Sequence, residues 1–281
     1  MDKPRHPSQG KTGLSEEQLI DQAFNASEYF QRVEAIQQLE NQQVLIEIAL
    51  NDPDYYVRQS AVERISDESV LIQVARLDPD YYVRLAAVKR ISNNKTLADI
   101  ILNSQDDYYI CKDALAGIHD DDILASLVES LTDRDIKLRA IQGITDQKML
   151  ARIARSNKDF YVRSDALKKI SDQPTLIEIA RHDTDFYIRA LAVQQIEDPL
   201  VIQAIAFEDP DYYVRGQAVN RISDVEVLLK IVHQDEDFEV RKKAVYNIHD
   251  IQRLEELSQQ ITDIYIQRKI KDRLRELREF T

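Results

Sequence analysis

Aromatic side chains occur as adjacent pairs at a regular interval along this 281-residue chain. Eleven of the thirteen tyrosines belong to these pairs, as in DPDYYVR at 52–58, 78–84 and 209–215, and a twelfth, Tyr265, occupies the same motif position without an aromatic neighbour. Tyrosine combines a rigid apolar ring with a hydroxyl group, which suits contact with another protein. A row of rings could also stack the bases of a single-stranded nucleic acid. The chemistry that these pairs indicate is therefore binding.

The residue types that usually carry catalysis are few and scattered. The single cysteine, Cys111, has no histidine with a predictable place beside it, so we do not expect a nucleophile. His119 and His249 share a repeat position but lie 130 residues apart, so they do not form a metal site. We expect no catalytic residue, no metal and no cofactor.

An arginine closes most of the aromatic motifs and marks the register of a repeat. Every interval between these reference positions is 26 residues, except one of 27 before Cys111. Self-similarity at such a period is typical of solenoids. The reference positions are Arg32, Arg58, Arg84, Cys111, Lys137, Arg163, Arg189, Arg215, Arg241 and Gln267.

An acidic residue stands four positions before the reference in all ten repeats. A carboxylate there indicates a helix start, because it accepts hydrogen bonds from the first amides of the helix. Apolar residues follow at helical spacing, as in Val57, Ala61, Val62 and Ile65, and predict an amphipathic helix B of about 11–12 residues. The acids are Glu28, Asp54, Asp80, Asp107, Asp133, Asp159, Asp185, Asp211, Asp237 and Asp263.

A second fixed cap, always Asp or Asn, stands nine positions after the reference, as Asp67 does. Leu71, Val74 and Ala75 follow it and predict a helix A of about 8–10 residues. Neither helix can bury its stripe alone, so neighbours must stack. The sequence therefore predicts an all-α solenoid of about ten two-helix repeats over residues 15–281, closed by a charged C-terminal capping helix. We expect residues 1–14 to be disordered.

The two rings of each pair differ in their relation to the apolar stripe. We expect the inner ring, three positions before the reference, to pack between neighbouring repeats. The outer ring, two positions before it, points further from the stripe, and both burial and display remain open. Our candidates for partner contact are the outer rings Tyr56, Tyr82, Tyr109, Tyr161, Tyr187 and Tyr213.

The string DPDYYVRLAAV at 78–88 resembles the second half of a HEAT repeat. The short unit is similar to compact bacterial HEAT-like arrays, including those of phycobilin lyases. The resemblance implies a superhelix that binds proteins along its helix-B side. It also implies that the arginines pair with turn aspartates such as Asp52, Asp78, Asp183 and Asp209, although capture of a ligand phosphate or carboxylate is the alternative.

Two catalytic branches of that family do not fit the residues. HEAT-type deoxyhypusine hydroxylases hold iron with His-Glu pairs, and no histidine here precedes a glutamate. A HEAT-like DNA glycosylase would be expected to use tryptophan and a basic groove, and this chain has no tryptophan and a net charge of −13.

The fourth and fifth repeats break the pattern. Their reference residues are Cys111 and Lys137, and Arg134-Asp135 replaces the aromatic pair of the fifth. Both helices carry glycine at one place, Gly117 and Gly143. The irregularities indicate a notch for a partner or a softer joint, with drift in a redundant array as the alternative, so Cys111, Lys137 and Arg134 are further candidates.

Composition limits the class of function. The charge of −13 disfavours nucleic acid, which needs a dense basic surface. It does not by itself imply a basic partner, because many of the acids are helix caps. No apolar stretch reaches the roughly 18 residues of a membrane span, and the first residues lack the core of a secretion signal. We expect a cytoplasmic monomer.

The function predicted from these observations is a non-enzymatic scaffold that binds a protein or peptide along the helix-B face. A lyase-like or chaperone-like subunit that handles a chromophore or client protein is the alternative, and nucleic-acid binding is a remote one.

Overall fold

A computed structural model describes residues 13–105 and 107–279, in which all regular structure is α-helical. The chain divides into two compact units, of which unit 1 ends at Ile144 and unit 2 begins at Thr145. Most of the segment predicted to be disordered, residues 1–14, lies outside the described residues.

Unit 1 contains five helix pairs. They are α1 (Glu16–Asn25), α2 (Tyr29–Ile36), α3 (Gln42–Asn51), α4 (Tyr55–Val62), α5 (Glu68–Leu77), α6 (Tyr81–Val88), α7 (Asn94–Asn103), α8 (Tyr108–Ala116), α9 (Asp121–Ser130) and α10 (Arg134–Gly143).

Unit 2 contains five more. They are α11 (Gln147–Ser156), α12 (Phe160–Leu167), α13 (Gln173–His182), α14 (Phe186–Val193), α15 (Pro199–Glu208), α16 (Tyr212–Val219), α17 (Val225–Gln234), α18 (Phe238–Asn247), α19 (Ile251–Gln260) and α20 (Ile264–Glu279).

Odd-numbered helices are the predicted helices A, and even-numbered helices are the predicted helices B. Each helix A packs on the helix B that follows it, and within each unit each helix B packs on the next. The predicted stripe is the core: Val57, Ala61, Val62 and Ile65 are fully buried. The all-α solenoid of ten two-helix repeats is therefore confirmed for the described residues.

The side-chain caps hold the short helices at their starts. Asp54 Oδ1 accepts a hydrogen bond of 2.8 Å from Tyr56 N, and Asp67 Oδ1 accepts from Ser69 N and Val70 N. The Ser69 hydroxyl also donates to Asp67 and lowers the pKa of that carboxyl, with the backbone amide adding to the effect. Glu28 is an exception and makes no side-chain cap bond.

Helix B is shorter than predicted. It has eight residues in α4, where we expected 11–12, because the chain tightens after Val62. Arg64 N donates to Ala61 O at 3.0 Å and Ile65 N donates to Val62 O at 3.3 Å, so 3₁₀-type bonds close the turn. This tight turn still brings Ile65 into the core.

Long polar side chains join neighbouring repeats through their backbones. Gln42 Nε2 donates to Arg64 O at 3.2 Å while its Oε1 accepts from Ser66 N at 2.8 Å. The Arg64 side chain reaches back to Leu39 O at 2.7 Å. Gln173 makes the same two-point contact with Gln195 O and Glu197 N in unit 2. These contacts satisfy backbone groups that the short helices leave without partners.

Candidate partner-binding surface

The aromatic pairs occupy the first two positions of the helices B, where the cap carboxylates orient them. Asp80 Oδ1 accepts from Tyr82 N at 2.8 Å, and equivalent bonds hold the first turns of four other helices that begin with an aromatic pair, whereas Glu28 makes no such bond and Asp107 accepts from Ile110 N. The remaining cap residues of this set are Asp54, Asp159, Asp185 and Asp211. A ring at the first or second position therefore projects at the end of its helix.

In unit 1 the rings of four repeats form a continuous row, which we call the unit-1 ladder. Within a pair the ring centroids lie 4.0–5.9 Å apart. The inner ring of each repeat then contacts the outer ring of the next: Tyr55 lies 6.1 Å from Tyr82 and Tyr81 lies 6.1 Å from Tyr109. The unit-1 ladder consists of Phe30, Tyr29, Tyr56, Tyr55, Tyr82, Tyr81, Tyr109 and Tyr108.

Unit 2 carries a shorter row, the unit-2 ladder, with the same alternation. Phe160 lies 6.1 Å from Tyr187, and Phe186 lies 6.0 Å from Tyr213. Tyr187 and Tyr213 also approach each other at 5.4 Å. The unit-2 ladder consists of Tyr161, Phe160, Tyr187, Phe186 and Tyr213.

Most outer rings are on the surface. Their exposed fractions are 45% for Tyr56, 56% for Tyr82, 60% for Tyr109, 53% for Tyr161 and 48% for Tyr187. The inner rings are less exposed but none is part of the core, and Tyr55 and Tyr81 are half-buried. The outer rings thus contact the neighbouring repeat and still leave about half of their surface to solvent.

Burial and display were both open for the outer rings, and Tyr213 is a candidate that the structure shows to be covered. It is half-buried, because Tyr187 packs against it and Lys243 covers it, with Nζ 5.9 Å from the ring centroid. Its neighbour Tyr212 is 51% exposed instead. In this repeat the inner position, which we expected to pack, is the displayed one.

The reference arginines are held in ion pairs that join successive repeats. Arg58 forms a two-point pair with Asp78 of the next repeat, at 2.9 and 3.0 Å, and donates to Asp52 O of its own turn at 2.9 Å. The hydrogen bond to Asp78 raises the pKa of Arg58. Equivalent pairs are Arg32–Asp52, Arg163–Asp183, Arg189–Asp209 and Arg215–Asp235. These guanidinium groups are engaged inside the protein.

Arg84 has a different partner because of the one-residue insertion that follows it. The position six residues before the next reference is Gln105, not aspartate. Arg84 Nη2 pairs with the cap residue Asp107 at 3.1 Å, and Nη1 donates to Asp78 O at 3.0 Å.

Cys111 was placed among the partner-contacting residues, and the structure corrects this. Its side chain is fully buried, with Sγ 3.2 Å from Ser104 O and 3.8 Å from Ile101 O. Burial raises the pKa of the thiol to about 11, with the carboxylates of Asp107 and Asp133 adding to the effect. The group is therefore a protonated core residue and does not meet a partner.

We expect the Cys111 thiol to be unreactive toward Ellman's reagent in the folded protein and fully reactive in concentrated guanidinium chloride. A buried thiol presents neither the thiolate nor a path for the reagent. The measurement is the rate of release of the coloured thiolate near neutral pH. Rapid reaction without denaturant would contradict the burial described here.

The other irregular positions lie in α10 and at the end of α8. Arg134 is exposed where other repeats carry an inner ring, and Lys137 is half-buried. The glycines do not open a notch. A Cβ on Gly117 would lie 2.8 Å from Leu97 Cδ1, and one on Gly143 would lie 2.8 Å from Leu124 Cδ1. Leucine side chains fill the space.

Sequence reasoning missed two cations that complete the ladders. Arg139 of α10 lies over the Tyr108 ring, with its guanidinium carbon 5.5 Å from the centroid, and Lys243 of α18 lies over Tyr213. Nothing in the repeat pattern marks Arg139. Gly216 could have indicated that a side chain passes close to α16, because a Cβ at Gly216 would lie 2.8 Å from Lys243 Nζ.

The described part of the chain offers neither a metal centre nor a membrane span. No group of three or more histidine, cysteine or acidic side chains in residues 13–105 and 107–279 could hold an ion. In the same residues no helix combines the length and apolarity needed to cross a bilayer.

Comparison with known proteins shows no family for this chain. No protein-family model and no curated protein matches the sequence. The solved structure of YibA from Escherichia coli aligns over 96% of this chain and 99% of that one, with 14% identity and a TM-score of 0.31. A computationally designed self-assembling cyclic homo-oligomer aligns over 94% and 88%, with 16% identity and a TM-score of 0.11. The consecutive helix pairs fit a HEAT-like architecture, and these similarities assign no function.

Proposed function

We propose that this protein is a non-enzymatic interaction scaffold that holds a partner protein along its aromatic ladders. The observation that carries the proposal is the row of outer rings, 45–60% exposed in Tyr56, Tyr82, Tyr109, Tyr161 and Tyr187. Such rings offer rigid contact area at low entropic cost. Tyr56, Tyr82, Tyr109 and Tyr187 each also contact the inner ring of the preceding repeat, so little ordering is needed when a partner binds.

The other repeated residues are already in use, which supports the ladders as the binding surface. Arg58, Arg189 and Arg215 are less than 9% exposed and paired with aspartates, so they do not present charge to a ligand. The cap carboxylates bind the first amides of their helices. The rings are the repeated feature that the fold leaves open to solvent.

The test is capture of partners from the native source by wild-type protein and by the triple variant Tyr82→Ala, Tyr109→Ala, Tyr161→Ala. We expect the triple variant to lose the partners that wild type enriches, while its helical circular dichroism remains. The matched control is Leu77→Ala with Leu200→Ala. This pair removes equally exposed apolar side chains, 73% and 71% exposed, from helices A. The control should retain the partners.

Two results would count against the proposal. If the triple variant keeps every enriched partner, the ladders are not the binding surface. If it unfolds, the rings serve stability, and the display interpretation is wrong.

A further inference from the structure

The last ring of each ladder is already covered by a cation of the chain itself. Arg139 lies over Tyr108, 5.5 Å from the centroid, and its Nε donates to the Tyr108 hydroxyl at 3.0 Å. Lys243 Nζ lies 5.9 Å from the centroid of Tyr213, in space that Gly216 leaves free. Cations are attracted to the faces of aromatic rings. These two contacts show that a ladder ring accepts a cationic side chain.

The inner rings of the unit-1 ladder lie near carboxylates. The pKa of Tyr55 is raised to about 12, first by its hydrogen bond with Tyr56, then by burial and by groups that include Asp80. Burial raises the pKa of Tyr81, and the charges of Asp107 and Asp113 add to the effect. Negative charge near the rings favours a cationic ligand and disfavours a phosphate backbone.

The cations of the fold neutralise part of this negative charge, because Arg84 pairs with Asp107 and Lys89 pairs with Asp113. Arg32, Arg58 and Arg84 are each paired with an aspartate. Lys89 pairs with Asp113 at 3.3 Å. By contrast, Asp54 and Asp80 use Oδ1 in their cap bonds, and their Oδ2 atoms have no hydrogen-bond partner among the described residues. Each of these two cap residues therefore keeps one carboxylate oxygen without a hydrogen bond, at the start of the helices that carry Tyr56 and Tyr82.

The repeat sets the spacing of a matching ligand. Packed helices lie about 8–10 Å apart, so successive outer rings recur at about that distance. An extended chain advances about 3.3 Å per residue, and a polyproline II chain about 3.1 Å. Three residues of extended peptide therefore cover one repeat, and every third side chain can meet an outer ring.

We propose that the unit-1 ladder binds an extended basic segment of a partner protein in which arginine or lysine recurs at every third residue. Each cationic side chain lies on one of the outer rings of Phe30, Tyr56, Tyr82 and Tyr109. Arg139 covers the ring after Tyr109, so the ladder ends there. This inference rests on the proposed function and names the chemistry of the partner.

The test uses the full chain and labelled twelve-residue peptides with blocked ends, followed by fluorescence anisotropy at physiological salt. One peptide has arginine at every third position with serine between, and the second has the same composition with its arginines contiguous. We expect the spaced peptide to bind about tenfold more tightly, because the contiguous block reaches fewer rings. Equal affinity of the two peptides would overturn the spacing argument.

Ring variants test the contact itself. Tyr82→Leu and Tyr109→Leu should each weaken the spaced peptide about two- to fivefold, as expected for an exposed cation–π contact. Tyr82→Phe keeps the ring and should retain the affinity. The matched control is Tyr265→Leu, which removes a 68% exposed ring at the same repeat position but outside both ladders. If Tyr82→Leu binds as wild type does, or Tyr265→Leu weakens binding equally, the ladder is not the site.

A single-stranded oligothymidine in the same assay distinguishes a protein ligand from a nucleic-acid ligand. Tighter binding of the oligonucleotide than of the spaced peptide would overturn the proposal. The outcomes also separate this inference from the scaffold function. If the peptide fails while the triple ladder variant still loses its native partners, only the cationic chemistry is wrong. If that variant keeps its partners, the scaffold proposal fails too.

Discussion

Replacing Arg189 by leucine is expected to destabilise unit 2 by about 3–5 kcal/mol, as the loss of one partner of a buried ion pair does. Arg189 and Asp209 are 7% and 8% exposed, and two hydrogen bonds of 2.8 and 2.9 Å join them. Without the guanidinium group, the Asp209 carboxylate stays buried with its charge uncompensated. The carbonyl of Asp183, which accepts from Arg189 at 2.9 Å, also loses its donor.

The double variant Arg189→Leu, Asp209→Asn is expected to recover at least half of that loss. Asparagine removes the buried charge but can still accept the bond from Asp211 N, which Asp209 Oδ1 makes at 2.8 Å. The chain already contains an uncharged residue at each of the two positions in other repeats. Asn157 makes this turn bond to Asp159 N at 2.9 Å, and Cys111 shows that an uncharged residue fits the reference position.

The measurement is the free energy of unfolding from urea denaturation followed by circular dichroism. Arg155→Leu is the matched control, because its pair with Glu178 is at the surface, with side chains 39% and 59% exposed, and should contribute less than about 1 kcal/mol. Equal losses for Arg189→Leu and Arg155→Leu would contradict the role assigned to burial. A double variant less stable than the single one would contradict the charge argument.

Replacing Ile270 by aspartate is expected to cost at least about 4 kcal/mol and to detach the terminal helix α20. Ile270 is fully buried, and so is Ile266 one turn earlier, so the change removes an apolar side chain and buries a charge. In a repeat array the terminal unit contacts one neighbour only, so this loss is local. Detachment would uncover Leu254 and Leu257 of α19, which are almost completely buried.

The control for α20 lies in the same helix. Ile264 is 69% exposed, so Ile264→Asp should change stability by less than about 0.5 kcal/mol. Hydrogen exchange should show fast exchange over α19 and α20 in Ile270→Asp alone, and slow exchange in α12 should persist in both variants. Protection of α20 in Ile270→Asp would show that this helix is held by other contacts.

The sequence was most informative where an interaction is local. Asp54 caps the amide of Tyr56 two residues away, so its role could be predicted from spacing alone. Val57, Ala61 and Val62 form a stripe because of helix geometry, and all three are buried. The predicted length of helix B was wrong. An apolar residue at the position of Ile65 is buried both by a longer helix and by a tight turn after Val62.

Contacts between repeats were predicted less completely. Arg58 had two candidate acids, Asp52 and Asp78, and the packing of the next repeat gives its side chain to Asp78 and leaves the carbonyl of Asp52 as a second acceptor. Cys111 was a candidate because the irregular fourth and fifth repeats indicated a notch for a partner. A cysteine has no long stem that carries a polar end to water, so it remains buried where arginine reaches a partner.

The sequence by itself determined the paired helices, their starts and the positions of the aromatic pairs. These depend on capping and periodicity, which act over a few residues. Only the tertiary structure decided which rings are exposed, because a ring at a helix start is covered or left open by residues of the next repeat. Lys243 covers Tyr213, whereas Tyr82 and Tyr109 keep exposed faces. The exposure of a binding ring depends on two stacked repeats, so it cannot be predicted from the sequence of one repeat alone.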